Sequence, residues 1–485
     1  MDGRTVPVRS SGRLRPSLLT PFVFANEDVG WMLTRLQKIY FGMARLGPSM
    51  MLDMISLATA LFYYSLQDLP GIYTGISLAT SYLVIAAAQL GFGHLSDRTV
   101  TRWGRRKPYV MVGAPLMAIS FLLVFTPHWF VSPTDTFGLF IYATVTLSVF
   151  KMFYGMVTTP FQSWMPELTE PEERPSVSSW QNVANFLAFI VGTIATSLLA
   201  GLSTGWGLPP EILMIIFVMM AIEIIGFIPP LAFLHREGKF IPQPSLRKDL
   251  SIALQNRDFV GWLVAQGLLS VGFAMITSMA FPYVNDYLRF GMVDLLIFGL
   301  ELLGAVFTFF LIWMWGIRRF GKRRTLQASM ALAVVVLPFT AFVTTKTLGF
   351  VVIALVAAAV AGYYLFPYII YADFAHKDEL ITGEGRAGIY TGFPSIPLNI
   401  CQAASAALMG VILDLPEILE VPGHPGEYVS LGYQLWGPIS ALFILLAVIV
   451  LQWVDLDPDF NALAQLHAQG PEDETEEAAD FSFEG

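Results

Sequence analysis

Twelve mostly apolar stretches, each near the roughly 20 residues that a helix needs to cross about 30 Å of hydrocarbon, dominate this sequence and confine it to one structural class. A sliding window puts them near 47–66, 72–95, 109–126, 136–160, 178–200 and 212–234, then 261–282, 294–315, 326–343, 348–371, 388–412 and 434–453. They are apolar on all sides and do not alternate at every second residue, which predicts helices and argues against a strand barrel. Only 13% of the 485 residues are charged, where a soluble domain carries about a quarter, so lipid is the main solvent. The expected fold is an all-α membrane protein of twelve transmembrane helices.

The formal net charge of −9 misleads until it is located. Val454 to Gly485 holds ten Asp and Glu and no Lys or Arg, and the rest of the chain balances to +1. The body lacks the basic stripe that nucleic acid requires, so no nucleic-acid partner is expected. One cysteine, Cys401, excludes an internal disulfide, and the six scattered histidines make no metal-binding spacing. Neither a metal nor a cofactor is expected. Arg4, Arg9, Arg13 and Arg15 precede no apolar segment with a cleavage site, so the first residues read as an arm that sets orientation or touches anionic lipid, not as a cleaved signal.

Basic residues in short loops stay on the cytoplasmic side. Alternate connections hold 25 of the 28 Lys and Arg, while the opposite ones hold only Arg289 and Lys346, and Lys151 lies inside the fourth span. Both termini are therefore expected in the cytoplasm, in a multi-pass protein of the cell membrane.

The two sets of six spans carry traces of duplication. GHLSDRTVTRWGRRKP stands between spans two and three and WGIRRFGKRR between spans eight and nine, which matches Gly104 with Gly321 at an offset of 217. Gly155 and Pro160 match Gly362 and Pro367 at an offset of 207, and Arg174 matches Arg386 at 212. Two parallel six-helix halves are a recurring transporter plan. The expected organisation is an arm over 1–44, a first half over 45–234, a linker over 235–258, a second half over 259–453 and an acidic tail over 454–485.

The hairpin GHLSDRTVTRWGRRKP, with Gly93, Asp97, Arg98, Gly104, Arg105 and Arg106, resembles the gating-loop motif of the major facilitator superfamily. Its order of residues is most similar to the glycoside-pentoside-hexuronide cation symporter branch, which includes the melibiose carriers. MVTTPFQSWMPELTEPEERPSVSSWQNVANF and YADFAHKDELITGEGRAGIYTG support that resemblance, which covers about residues 41 to 453. It implies transport of a small solute with a coupled cation. The sequence departs from the sodium-coupled members where they carry acidic groups: Ile85 and Gln89 stand in helix two and Thr158 in helix four, and the lysine of helix eleven falls near Ile400. Coupling to protons, not sodium, is expected.

Ionisable groups inside a span are costly and mark function by default. Asp53 in span one continues a face with Ser49 and Ser56, and Lys151 in span four continues one with Gly155, Thr158 and Gln162. A buried Asp53–Lys151 pair is expected beside a central cavity, either for coupling or as a structural lock. Glu223 and Glu301 lack such stripes. Amide stripes point inward in span five (Gln181, Asn182, Asn185), span seven (Gln266) and span eleven (Asn399, Gln402), toward a solute or a neighbouring helix. Pro394 and Pro397 suggest a kink in span eleven. Trp180, Tyr364, Tyr368 and Trp436 are candidates to stack on a sugar ring or to pack the core.

The reading that follows is a secondary active transporter of a small polar solute, a sugar or glycoside fitting best, working as a monomer by alternating access. The sequence has no phosphate-binding Gly-x-x-x-x-Gly-Lys loop for an ATP-driven pump, and no nucleophile with a base for an enzyme. The alternatives are an uncoupled facilitator of another solute and a non-transporting assembly or sensor protein on the same scaffold.

Overall fold

The computed structural model describes residues 33–99, 101–169, 173–203, 205–234, 246–382, 390 and 392–456. Most of the expected arm and acidic tail, residues 235–245 of the linker, and Arg386 and Thr391 lie outside the described residues. Among the described residues, twelve helices are long and apolar enough to span a membrane. In chain order they are α1 (Arg35–Leu66), α2 (Gly71–Arg98), α3 (Lys107–Val124), α4 (Thr136–Met165), α5 (Ser176–Leu202), α6 (Pro210–Phe233), α7 (Arg257–Tyr287), α8 (Met292–Phe320), α9 (Lys322–Phe342), α10 (Lys346–Asp378), α11 (Ser395–Leu413) and α12 (Gly432–Trp453). A hairpin of β1 (Glu417–Glu420) and β2 (Tyr428–Ser430) joins α11 to α12.

Several helices overrun their apolar stretches. Apolarity marks where lipid is, whereas helical hydrogen bonding continues until a cap or a proline ends it. The first helix begins twelve residues before the expected 47, at Arg35, because Thr34 and Gln37 form a capping box there. It is then offset at Ala44–Arg45, and Pro48 sits in the first turn of the resumed helix Leu46–Ala60, where a missing N–H removes no helical bond. In span eleven Tyr390 and Gly392 are helical, Phe393 and Pro394 form a turn and the helix resumes at Ser395 with Pro397 in its first turn, so the helical path breaks at Pro394, where a kink was expected.

The duplication read from sequence recurs in three dimensions. Gly104 and Gly321 both take positive φ, 106° and 86°, where a side chain would strain the turn. Arg105 meets Glu167 at 3.0 Å, and its counterpart Lys322 pairs with Asp373, whose offset of 206 from Glu167 is near that of the flanking motifs. Both α1 and α7 end in a π turn, Leu61–Leu66 and Tyr283–Tyr287. Within these turns, Tyr63 donates to the Val124 carbonyl at 2.6 Å and Tyr283 to the Thr340 carbonyl at 2.7 Å, tying α1 to α3 and α7 to α9 in the same way.

The halves close on each other at the end opposite the basic hairpins. A Cβ on Gly75 would lie 2.6 Å from the Ala406 carbonyl, and one on Gly410 2.6 Å from that of Gly71, so α2 and α11 touch backbone to backbone. The Asp414 carboxylate accepts from the Gly71 and Ile72 N–H groups at 2.6 and 2.8 Å, capping α2 from the other half. On the opposite flank, α5 meets α8, where a Cβ on Gly299 would lie 2.5 Å from Ser197 Oγ. At the hairpin end, ion pairs among the described residues stay within one half.

Candidate functional site

The offset at Ala44–Arg45 turns Arg45 into the bundle. Arg45 Nε donates to Asn185 Oδ1 at 3.2 Å and its Nη1 to Gln162 Oε1 at 3.2 Å, so α1, α4 and α5 are joined by one guanidinium. Ser49 also donates to Asn185 Oδ1, at 2.8 Å, and Gln181 to Gln162 Oε1, at 3.2 Å. Two of the expected solute amides, Asn185 and Gln181, are thus engaged in a network between helices.

One turn beyond Ser49, Asp53 is half-buried and packs on Gly192 of α5, whose Cβ would lie 3.0 Å from that of Asp53. Lys151 is buried at 2% exposure, with Nζ 4.3 Å from the centre of the Tyr82 ring on α2, a cation–π contact. The close approach of Gly155 to Ala88 brings α4 against α2 and fixes that contact. Asp53 lies within electrostatic reach of both Arg45 and Lys151, but no ion pair of 4.0 Å or less joins it to either among the described residues. The expected Asp53–Lys151 ion pair is therefore replaced by a looser triad, because the Tyr82 ring takes up the ammonium. Two cations and one carboxylate thus lie near one another, all from the first half.

The second half supplies uncharged polar groups. Asn399 donates to Gln89 Oε1 at 3.1 Å and to its own helix at Ser395, which links α11 to α2 across the halves. Gln89, a departure from the sodium-coupled pattern, is thus an inter-half contact. Tyr371 donates to Gln266, and Ser270 and Tyr363 share a hydrogen bond of 2.8 Å. Gln402 is half-buried and Asn182 exposed, and neither has a hydrogen bond among the described residues. Phe186 and Phe189, on the Asn182 face of α5, meet Phe307 of α8 and Tyr364 of α10 at 5.3 and 6.5 Å between ring centres, so this face looks toward the second half. Of the other aromatic candidates, Trp436 is buried against Tyr283, Trp180 packs on Gly42, and the side chain of Tyr368 lies outside the described residues.

Glu223 is fully buried between α6 and α1, its carboxylate against Gly47, and neither oxygen has a partner among the described residues. It does not face the triad. The basic hairpin forms a separate cluster: Arg106 bonds Asp97 at 2.9 Å and Glu167 at 2.6 Å, Arg105 joins Glu167, and Lys107 donates to the Leu231 carbonyl at the end of α6. Glu167, on the helical extension of α4 that runs to Leu168, binds the hairpin to that helix. Arg98 is exposed, and Gly93 lies 3.4 Å from Thr159 as a Cβ would be placed. Arg45 stands at the edge of the first apolar stretch, and its spacing of four and eight residues from Ser49 and Asp53 is the one sequence signal of its place in the site. Tyr82, Glu167 and Asp414 carry no such signal, since aromatics are common in spans and both acids lie at helix ends.

Comparison with known proteins bears on what this arrangement does. Residues 40–457 match the family model described as MFS/sugar transport protein. The chain is 24% identical over 480 residues to the isoprimeverose transporter of Lactiplantibacillus pentosus, covering 95% of this chain and 96% of that protein. It is 25% identical to the glucuronide carrier protein homolog of Escherichia coli K12, over 82% of this chain and 87% of the relative. A 27% match to an uncharacterized symporter of Synechocystis covers 52% of this chain and 46% of that protein. Among solved structures, the nucleoside transporter NupG superposes with a TM-score of 0.59 at 11% identity, over 90% of this chain and all of that one.

Proposed function

The chain belongs to the MFS/sugar transport family, and we propose that it carries a hydroxyl-rich, sugar-like solute through the space between its halves by alternating access, driven by protons. It is a multi-pass membrane transporter of a small solute and not an enzyme. The sugar assignment draws on the isoprimeverose and glucuronide relatives. In this reading the solute lies between the Arg45–Asp53–Lys151 triad and the second-half polar groups, with Asn182 and Gln402 free to bind it and Asn185, Gln181, Asn399 and Gln266 holding the walls. The segments 45–234 and 259–453 rock as bodies about the linker 235–258, the Asp97–Arg106–Glu167 cluster bracing the first. With both termini cytoplasmic, in the cell membrane, the Asp414 latch closes the outer side, and the transporter works as a lipid-embedded monomer.

Asp53 carries the proposal: it is a half-buried carboxylate inside a span, near two cations yet ion-paired with neither. A carboxylate held this way can take up a proton, which removes its attraction for Lys151 and Arg45 and changes the charge of the site. In proteoliposomes loaded with D-xylose, D-glucose or a disaccharide of the two, Asp53→Asn should abolish accumulation under a pH gradient and retain counterflow. Accumulation that follows a sodium gradient at clamped pH would overturn proton coupling. Lack of counterflow for every hydroxylated solute tried would overturn the sugar assignment.

A further inference from the structure

A cavity of about 220 Å³ opens on the latched face of the first half, apart from the space between the halves. Gln67 and Asp68 from the α1–α2 connection, Thr136 and Leu139 from the start of α4, and Trp206 from the α5–α6 connection line it. Its walls among the described residues all belong to the first half and include none of Arg45, Asp53 and Lys151, so it is separate from the triad.

Gln67 is the unusual member. It is 6% exposed, and neither its amide oxygen nor its amide nitrogen has a hydrogen-bond partner among the described residues. Buried amides are costly to desolvate, and nearly all of them are satisfied. An amide that lines a polar cavity and is not used by the fold is therefore poised for an occupant. The chain reverses at Asp68, φ 53°, so consecutive side chains reach the same cavity.

The surrounding groups define that occupant. Gln67 offers two donors and an acceptor, Thr136 one donor and an acceptor, and Asp68 only acceptors, while Trp206 adds an aromatic ring. A ring bearing hydroxyls on its edge and C–H groups on its face complements this set. The volume is below the roughly 300–1,000 Å³ of drug-sized pockets, which restricts the occupant to one sugar ring or a short polyol. Asp68 disfavours an anion, and a single carboxylate is too few ligands for calcium.

We propose that this pocket is a second binding site, for a neutral monosaccharide-sized polyol, on the face where the halves are latched. It stands whether or not the central pocket carries a sugar, and it is read separately. In a Cys401→Ser background, a cysteine replacing the exposed Pro133 at the rim reports occupancy through its rate of maleimide labelling in nanodiscs. D-xylose or D-glucose should slow labelling at least threefold, and D-glucuronate should not. Gln67→Leu should abolish the protection, whereas Asp53→Asn, which lies in the other pocket, should leave it intact. If Gln67→Leu fails to fold, Thr136→Val at the exposed edge decides, with weakened protection expected. Absence of protection by both neutral sugars would show that the pocket holds water only. Protection that survives both pocket variants, or that is lost in Asp53→Asn, would equally overturn the proposal.

Discussion

Removing the Asp414 carboxylate should unlatch the halves by an amount that can be worked out beforehand. The side chain caps α2 through two backbone N–H groups, at 2.6 and 2.8 Å, from the other half of the molecule. Loss of a capping side chain costs about 0.5–2 kcal/mol. Asp414 is exposed, so solvent and salt screen the charged part of its interaction, and a value near 1 kcal/mol is appropriate. Because the cap exists only while the halves touch at this end, nearly all of it acts on the closed-to-open ratio, roughly a fivefold change. Ala406 lies buried between α2 and α11, 4% exposed, and a cysteine there is reached only when the two helices part. In a Cys401→Ser background in nanodiscs, Asp414→Ala should raise the labelling rate of Ala406→Cys about fivefold, and Asp414→Asn, which keeps one acceptor, by less. Gly410→Val, placed against the Gly71 carbonyl, should raise it further. An unchanged or slower rate in Asp414→Ala would refute the latch.

Arg106→Ala would leave Asp97 without its partner and Glu167 with Arg105 alone, and should lower stability by about 1–2 kcal/mol, read as thermal unfolding in detergent, while Arg106→Lys should recover part of it. Gly47→Ala forces a methyl to within 2.1 Å of the Glu223 carboxylate and 2.5 Å of its Cα and should destabilise by about 1–3 kcal/mol, with Glu223→Ala in the same chain relieving only part of the loss, since the backbone clash remains. Single cysteines replacing Thr134 and Glu420, both exposed at the latched end, should react with an impermeant maleimide in intact cells, and one replacing Arg102 should not; the reverse pattern would invert the orientation.

Membrane class, span number and duplication were legible because each rests on a signal that lipid or backbone geometry imposes along a continuous stretch of chain. A span must be apolar for its whole length, and a glycine at positive φ, such as Gly104 or Gly321, is hard to replace. The pocket was legible only in outline. Helical periodicity shows that Gln181, Asn185 and Gln266 face inward, but not which neighbour arrives first, and here Gln162, Arg45 and Tyr371 do so. Asn182 and Asn185 are one turn apart and alike in sequence, yet only Asn185 meets the guanidinium. Asp414 lies just past an apolar stretch, where an acidic residue reads as an ordinary loop group until α2 is seen beneath it.

The duplication also explains where coupling should be sought. Aligning Tyr63 with Tyr283 puts Ala265 opposite Arg45 and Phe273 opposite Asp53, and aligning Gly155 with Gly362 puts Ala358 opposite Lys151. The hairpin clamps, the π turns and the tyrosine anchors are thus kept in both halves, while Arg45, Asp53 and Lys151 have no charged counterparts in the second. Scaffold is symmetric and charge chemistry is not. Phe273 is buried and stacks on Tyr363 at 4.5 Å, an apolar contact where the first half has a carboxylate. If the first half handles protons and the second shapes the solute pocket, the two equivalent positions must fail differently. Asp53→Asn should remove the dependence of uptake on the pH gradient, whereas Phe273→Leu should keep that dependence and raise the solute concentration needed for half-maximal counterflow several-fold. Loss of pH-gradient dependence in Phe273→Leu, in protein of normal thermal stability, would show that coupling is shared by both halves and that this division of labour is wrong.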